Sequence, residues 1–69
     1  MYDYEICEEE YDESGNVCIR VEPLAFAESM REAEKEQKRL LKEKPSSFIT
    51  IRKYKETKNK ERHLVMVYE

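Results

Sequence analysis

Proline divides this sequence into three blocks, and this limits the fold more than any other feature does. The 69 residues contain two prolines, Pro23 and Pro45, and a single glycine. Proline disrupts the interior of a helix and is excluded from a central strand, so the regular elements are expected to lie between these positions. The chain is therefore predicted to form one domain built from residues 2–22, 24–44 and 48–69.

The first block, residues 2–22, has the periodicity of a β-hairpin. Apolar and polar residues alternate over 2–9 and again over 17–22, which is typical of half-buried strands. A cluster of turn-forming residues lies between them and contains Gly15, which we expect to adopt a positive φ. We predict a loop of four residues, 12–15, because an even number keeps the apolar side chains of both strands on one face.

The two cysteines are expected to remain free thiols. In the predicted register Cys7 lies opposite Arg20 and Cys18 lies opposite Glu9, so the thiols are diagonal rather than paired. Two cysteines and one histidine cannot supply the four ligands of a structural zinc site. We therefore predict neither a metal site nor a disulfide scaffold.

The second and third blocks predict a helix followed by another hairpin. Residues 24–44 lack Gly and Pro and are rich in strong helix formers. Residues 48–54 and 64–68 have the composition of strands, with a turn between them. The order β-β-α-β-β predicts an α+β two-layer sandwich, in which one long helix packs on one face of an antiparallel four-stranded sheet. The apolar stripe of the helix is predicted to contain Phe26, Met30, Ala33, Gln37 and Leu40.

Several classes of function have no support in the sequence. There is one histidine, His63, and there is neither a glycine-rich phosphate loop nor a nucleophile motif, so we do not expect an enzyme or a bound cofactor. The acidic N-terminus lacks the apolar run of a signal peptide, and no segment approaches the about 18 apolar residues of a membrane span. We expect a soluble, cytoplasmic protein.

Charge is distributed unevenly along the chain. Residues 1–22 carry eight acidic side chains and one arginine, a net charge of −7, whereas residues 31–62 carry twelve basic and six acidic side chains, a net charge of +6. Such asymmetry can mark a partner-binding surface, or the two halves can neutralise each other across the sheet. The candidate partner-binding residues are those of the acidic first hairpin: Glu5, Glu8, Glu9, Glu10, Asp12 and Glu13.

The second hairpin offers a basic alternative between residues 52 and 62. Lysine and arginine bind phosphates, and tyrosine can stack on a base. Two glutamates interrupt this segment, and the pI of about 5.3 lies well below the values near 9 typical of nucleic-acid-binding domains. A solvated hairpin tip and a docking site for an acidic protein are the competing interpretations. The candidate nucleic-acid contacts are Arg52, Lys53, Tyr54, Lys55, Lys58, Lys60 and Arg62.

The last strand is apolar on both of its faces. If Val65 and Val67 face the helix, then Leu64, Met66 and Tyr68 form an outward patch. An outward apolar patch on so small a protein indicates a partner or a homodimer. The alternative is that lysine and arginine stems cover it.

In size and layout the chain resembles small phage and prophage proteins, which include the anti-CRISPR proteins. The resemblance is carried by the β-β-α-β-β plan, the polar hairpin near DESGN at 12–16 and the charged helix that ends in LLKEKP at 40–45. It implies a stoichiometric inhibitor of a host defence complex that handles nucleic acid, with the acidic hairpin imitating phosphates. We therefore expect a non-catalytic protein-binding module with a host protein partner. A small nucleic-acid-binding accessory protein is the alternative.

Overall fold

Four strands and one helix make up the molecule, in the order β-β-α-β-β. A computed structural model describes all residues, 1–69. The strands form one antiparallel sheet in the order β2-β1-β3-β4. This confirms the predicted α+β architecture. The helix is neither long nor apolar enough to cross a membrane. The elements are β1 (Tyr2–Tyr11), β2 (Cys18–Ala27), α1 (Met30–Glu43), β3 (Phe48–Glu56) and β4 (Arg62–Tyr68).

A small apolar core lies between α1 and one face of the sheet. The helix contacts β1, β2 and β3 but not β4. The Gln37 side chain donates a hydrogen bond to the Ile49 carbonyl at 2.9 Å, which holds the helix over the start of β3. Only 10 of the 69 residues are buried, so the stability of the domain depends on few side chains. The core consists of Tyr4, Ile6, Ala27, Ala33, Leu40, Ile49 and Ile51.

The predicted boundary at Pro23 is wrong, because β2 continues through the proline. Residues 24–27, which the sequence pattern assigns to the helix, belong to β2 and extend its pairing with β1. A proline is tolerated here because β2 is an edge strand, where a missing amide need not remove a hydrogen bond of the sheet. Phe26 therefore lies opposite Glu5 and is 68% exposed, rather than on the apolar face of a helix.

The helix begins at Met30 because Ser29 caps it. Ser29 has an extended backbone with φ of −140°, and its hydroxyl accepts a hydrogen bond from the Glu32 amide at 3.2 Å. The Glu32 carboxylate in turn accepts a hydrogen bond from the Glu28 amide at 3.4 Å. This arrangement closely resembles a capping box, whose Ser-x-x-Glu signature is present in the sequence.

The loop between β1 and β2 spans residues 12–17 and is longer than predicted. The Asp12 amide donates to the Val17 carbonyl at 2.9 Å, and the Gly15 amide donates to the Asp12 carbonyl at 3.0 Å. Gly15 has a φ of 76°, as predicted for the turn. Because the loop is longer and the β1–β2 pairing contains two register shifts, the predicted register is wrong.

Replacing Ser29 by alanine is expected to lower the free energy of unfolding by about 1 kcal/mol, because the first turn loses its hydrogen-bond acceptor. Ser46→Ala, in the loop after the helix, is the matched control and should leave stability unchanged. Chemical denaturation followed by circular dichroism measures both. If the helix began at residue 24, Ser29 would lie inside it and alanine would stabilise the protein, so increased stability would contradict the observed start.

Candidate functional site

Four of the six acidic residues predicted to bind a partner form ion pairs within the chain. They lie on both faces of the sheet, because neighbouring residues of a strand point in opposite directions. Each pair joins β1 to a different part of the fold. Three of these four carboxylates pair with basic residues of the second half of the chain, which is the neutralisation between the halves that the charge distribution left open. The pairs are Glu5–Arg62 at 3.0 Å, Glu8–Lys44 at 3.3 Å, Glu9–Arg52 at 2.9 Å and Glu10–Arg20 at 3.3 Å.

The two remaining acidic residues lie in the loop between β1 and β2. The Asp12 carboxylate accepts hydrogen bonds from the Ser14 hydroxyl at 2.6 Å and the Val17 amide at 3.4 Å. The hydrogen bond from Ser14 lowers the pKa of Asp12, so this carboxylate stabilises the loop as an anion. Glu13 is exposed and forms no ion pair, so a purely acidic contact surface would depend on this residue.

The face of the sheet opposite the helix, called here the open face, is covered over its central strands by charged side chains of the chain itself, while the exposed Phe26, Leu64 and Val67 lie on its edge strands. Arg62 bridges Asp3 at 2.8 Å and Glu5 at 3.0 Å. Beside them Arg52 binds the buried Glu9, whose other carboxylate oxygen accepts a hydrogen bond from the Tyr11 hydroxyl at 2.8 Å. The long stems of such residues shield the backbone beneath them. The open face is therefore more polar than a one-sided helix–sheet packing suggests.

Cys7 lies at the centre of the open face and is only 1% exposed. Its thiol points to the Glu5 carboxylate at 3.9 Å. Burial, followed by the negative charge of Glu5, raises the pKa of the Cys7 thiol, so this cysteine stays protonated and is a poor nucleophile.

The second cysteine, Cys18, is exposed and lies opposite Tyr11 at the far end of β1, whereas Cys7 lies opposite Pro23. Four residues of strand separate the two positions along β1, about 13 Å. This distance exceeds the reach of a disulfide, which requires Cα atoms within about 7 Å. The two thiols are free in the structure, although the predicted register that led to this expectation is wrong.

The basic residues of the second hairpin are divided between ion pairs and solvent. The Arg62 guanidinium lies over the Tyr54 ring at 4.3 Å, which occupies one face of the only aromatic ring in this stretch. Lys53 lies over the Tyr2 ring at 4.2 Å, and Arg52 is held by Glu9. A base would have to displace these contacts in order to stack. The residues that remain exposed without an ion-pair partner are Lys55, Lys58 and Lys60.

Strand β4 is the least covered element of the fold. It forms one edge of the sheet, contacts no helix and exposes four consecutive apolar residues, Leu64–Val67, each by 39–50%. An unpaired strand edge presents backbone donors and acceptors in a row and can accept a further strand. This apolar edge is the principal candidate interaction surface of the molecule.

The predicted outward patch of Leu64, Met66 and Tyr68 does not lie on one face. Leu64 lies opposite Tyr54 on the open face, whereas Met66 and Tyr68 lie opposite Lys53 and Ile51 on the helix face. The cause is a bulge at residue 65, which leaves one residue of β4 without a direct partner on β3. Tyr68 is half-buried against the core.

The two edges of the sheet differ in their protection against pairing with other chains. Edge strand β2 contains Pro23, two register shifts and the charged pair Arg20–Glu22. Proline, bulges and charges are the features with which natural sheets block edge pairing. Between Leu64 and Tyr68, β4 contains neither proline nor charge and has one bulge. The free edge of β4 is therefore the accessible one.

A shallow groove of about 390 Å³ lies where β1 extends beyond β3. Its carboxylates are already engaged, and it is not formed around a group of His, Cys, Asp or Glu side chains arranged to hold a metal. Tyr11 and Phe48 stack edge to face at its rim, with ring centroids 5.6 Å apart. The groove is lined by Glu8, Glu9, Glu10, Tyr11, Arg20, Ser46, Ser47 and Phe48.

The comparisons with known proteins add no relative to this description. No family model, no curated protein and no solved structure matches the chain. The resemblance to phage and prophage proteins therefore stays a prediction from size and layout.

Replacing Arg52 by methionine is expected to lower the free energy of unfolding by about 2 kcal/mol, because buried Glu9 loses its charged partner while the packed stem is kept. Arg39→Met is the matched control. Arg39 pairs with Glu36 and Glu43 on the exposed helix surface, where ion pairs contribute little, so its loss should not be measurable. Equal effects of the two substitutions in chemical denaturation would contradict this account.

Glu8 is expected to titrate below its ordinary pKa of 4.5, because the Ser47 hydroxyl and then Lys44 stabilise its charged form. A lowered pKa in the folded state contributes stability above the unfolded pKa, and this contribution is lost as pH falls through the folded pKa. NMR titration should show that Ser47→Ala raises the pKa of Glu8 and reduces the acid sensitivity of unfolding. An unchanged titration would contradict the assignment.

Proposed function

We propose that this chain is a non-catalytic protein-binding module that adds an extended strand of another protein chain to the free edge of β4. The observation that carries this proposal is the edge of β4, the less protected of the two edges, where four apolar residues are exposed beside unpaired backbone groups. Strand addition obtains its affinity from backbone hydrogen bonds and its specificity from alternate side chains. The edge supplies both elements without rearrangement of the fold.

The charges around β4 define the chemistry of the strand that would bind. The hairpin before β4 carries Lys58 and Lys60, which have no ion-pair partner, and β4 itself begins with Arg62. Apolar residues follow from Leu64 onwards. A complementary strand is therefore apolar in its middle and carries a carboxylate at the end that reaches this basic hairpin. This develops the interpretation of the second hairpin as a docking site for an acidic protein.

All strand neighbours in the sheet are antiparallel, so we propose antiparallel addition. In that orientation the carboxyl end of the bound strand lies beside Arg62 and the basic hairpin. The acidic side chains of the bound strand are therefore expected at its carboxyl end. The orientation makes the proposal directional and therefore testable with peptides of identical composition.

A stoichiometric inhibitor of a host complex, cytoplasmic and of phage origin, is one form that such a module can take, and that part stays a prediction from the sequence. In this form the partner would bind β4 and not the acidic hairpin, because ion pairs within the chain engage most of the acidic residues. Nucleic-acid binding retains Lys55, Lys58 and Lys60 but lacks a free aromatic platform.

The test uses two short fluorescent peptides of alternating threonine and valine. One carries a pair of aspartates at its carboxyl end, and the other carries the pair at its amino end. Fluorescence anisotropy should show weak binding of both, with the carboxyl-end peptide preferred by about fivefold, the effect of about one exposed ion pair. Equal affinities would contradict antiparallel addition, and absence of binding would contradict the proposed function.

Two variants locate the binding site in the same assay. Val65→Lys changes the bulged residue, which has no partner on β3, and places a charge at the apolar edge. It should abolish binding even though the added positive charge attracts the aspartates. Val17→Lys, at an exposed valine in the loop between β1 and β2, is the matched control and should bind as the wild type does. Equal loss in both variants would exclude the edge.

A further inference from the structure

The β4 strand itself has the two properties expected of a strand that binds its free edge, an apolar middle and a carboxylate at the carboxyl end. It is apolar over Leu64–Val67 and is followed by Glu69 at its carboxyl end. We propose that the strand added to β4 is β4 of a second copy, so that two four-stranded sheets join into one continuous sheet. This inference rests on the proposed function, since it names the partner of the same edge.

Symmetry restricts how two identical strands can pair. An antiparallel pair of identical edges is related by a two-fold axis perpendicular to the sheet, which places both helices on the same side. Residues directly opposite each other must then lie on the same face. In a regular strand this condition is met only when residues separated by an even number of positions are paired.

The bulge at Val65 changes that condition for β4. Arg62, Leu64 and Val67 lie on the open face. His63, Met66 and Tyr68 lie on the helix face. The alternation of side chains between the two faces therefore shifts by one residue between Leu64 and Met66. As a result, a residue before the bulge and a residue after it share a face when their numbers differ by an odd number. Two registers meet this condition, with the axis on either side of Val65, and the one that pairs more of the strand places the axis between Val65 and Met66.

The register that uses the whole strand matches the faces of the pairs outside the bulge. Leu64 lies opposite Val67 of the second copy on the open face, and His63 lies opposite its Tyr68 on the helix face. Continued alternation beyond Val67 places Glu69 on the open face, at the start of β4 of the other copy. Arg62 there is already engaged by Asp3 and Glu5, so the basic partners near Glu69 are Lys58 and Lys60 of the preceding hairpin, which have no ion-pair partner. Two-fold symmetry repeats this opposite-charge contact at both ends of the interface.

A parallel pairing is disfavoured by the same condition on faces. A two-fold axis along the strands would put the helices on opposite sides, so identical residues at one level would lie on opposite faces of the joined sheet. The antiparallel pairing also has the space that it needs, because α1 does not reach β4 and leaves both of its faces accessible. The added strand covers Leu64 and Val67 on one face and Met66 on the other.

Sedimentation equilibrium from about 10 μM to about 1 mM covers the weak range expected of a small interface. The wild-type mass should rise from that of the 8.4 kDa monomer towards twice that value. Glu69→Lys should weaken the dimer by about tenfold, because it converts two attractive contacts into repulsive ones. Glu13→Lys makes the same charge change in the β1–β2 loop and should have no effect. Denaturation midpoints confirm that both variants fold.

The outcomes separate this inference from the proposed function. If the protein is a monomer at all concentrations but still binds the carboxyl-end peptide, pairing with a second copy is overturned and strand addition is left intact. A monomer that binds neither peptide would overturn both. A dimer weakened equally by Glu69→Lys and Glu13→Lys would overturn pairing through β4. A dimer weakened by Glu69→Lys alone, and abolished by Val65→Lys, would support the proposed pairing.

Discussion

Carboxylates on the central strand β1 are matched with basic side chains from the elements around it, and the sheet depends most on the pairs of the buried Glu9 and the half-buried Glu5. Without such partners, the carboxylates of so acidic a strand would repel one another in the centre of the sheet. Each partner comes from a different part of the chain, so the ion pairs also connect β1 to its surroundings. The apolar core is small, and these contacts add to it where the helix does not reach. The basic partners are Arg20 of β2, Lys44 after α1, Arg52 of β3 and Arg62 of β4.

Arg62 has a particular position in this arrangement. Its side chain crosses over Tyr54 of β3 to reach Asp3 and Glu5 on β1, so the edge strand is tied to the centre of the sheet across its neighbour. β4 is otherwise held only by its pairing with β3, because no helix covers it. The inner contacts of β4 therefore stabilise the fold, while its outer edge remains free for binding. The proposed strand addition thus uses the side of β4 that the contacts within the fold leave unoccupied.

The sequence predicts the order and type of the elements because that information is local. The alternation over 2–9 and the run of helix formers up to residue 43 each belong to one segment. The start of the helix was also readable, since Ser29 and Glu32 have the spacing of a capping box, but the proline pattern competed with it. Pro23 is compatible with a strand only at an edge, and strand order is a property of the whole sheet.

The interaction surface was predictable only in part, for the same reason. The apolar character of β4 on both faces is visible in Leu64–Val67, and it singles out this strand. A strand apolar on both faces is more often central, so the pattern alone does not show that β4 is an edge. The ion pairs that engage Glu5 and Glu9 join residues far apart in the chain, and no local pattern predicts them.

The bulge at Val65 then decides which strand fits the free edge best. A regular strand paired with β4 has one residue fewer than β4 at the bulge. Strand β3 shows this mismatch, because Lys53 and Tyr54 are consecutive whereas their partners Met66 and Leu64 are separated by Val65. A strand with the same bulge at the same position meets it one residue to one across the two-fold axis. A feature that usually impedes pairing with other chains is therefore compatible with an identical copy. In the proposed dimer this one residue therefore favours β4 of a second copy over a regular strand, which agrees with the weak binding expected of the regular test peptides.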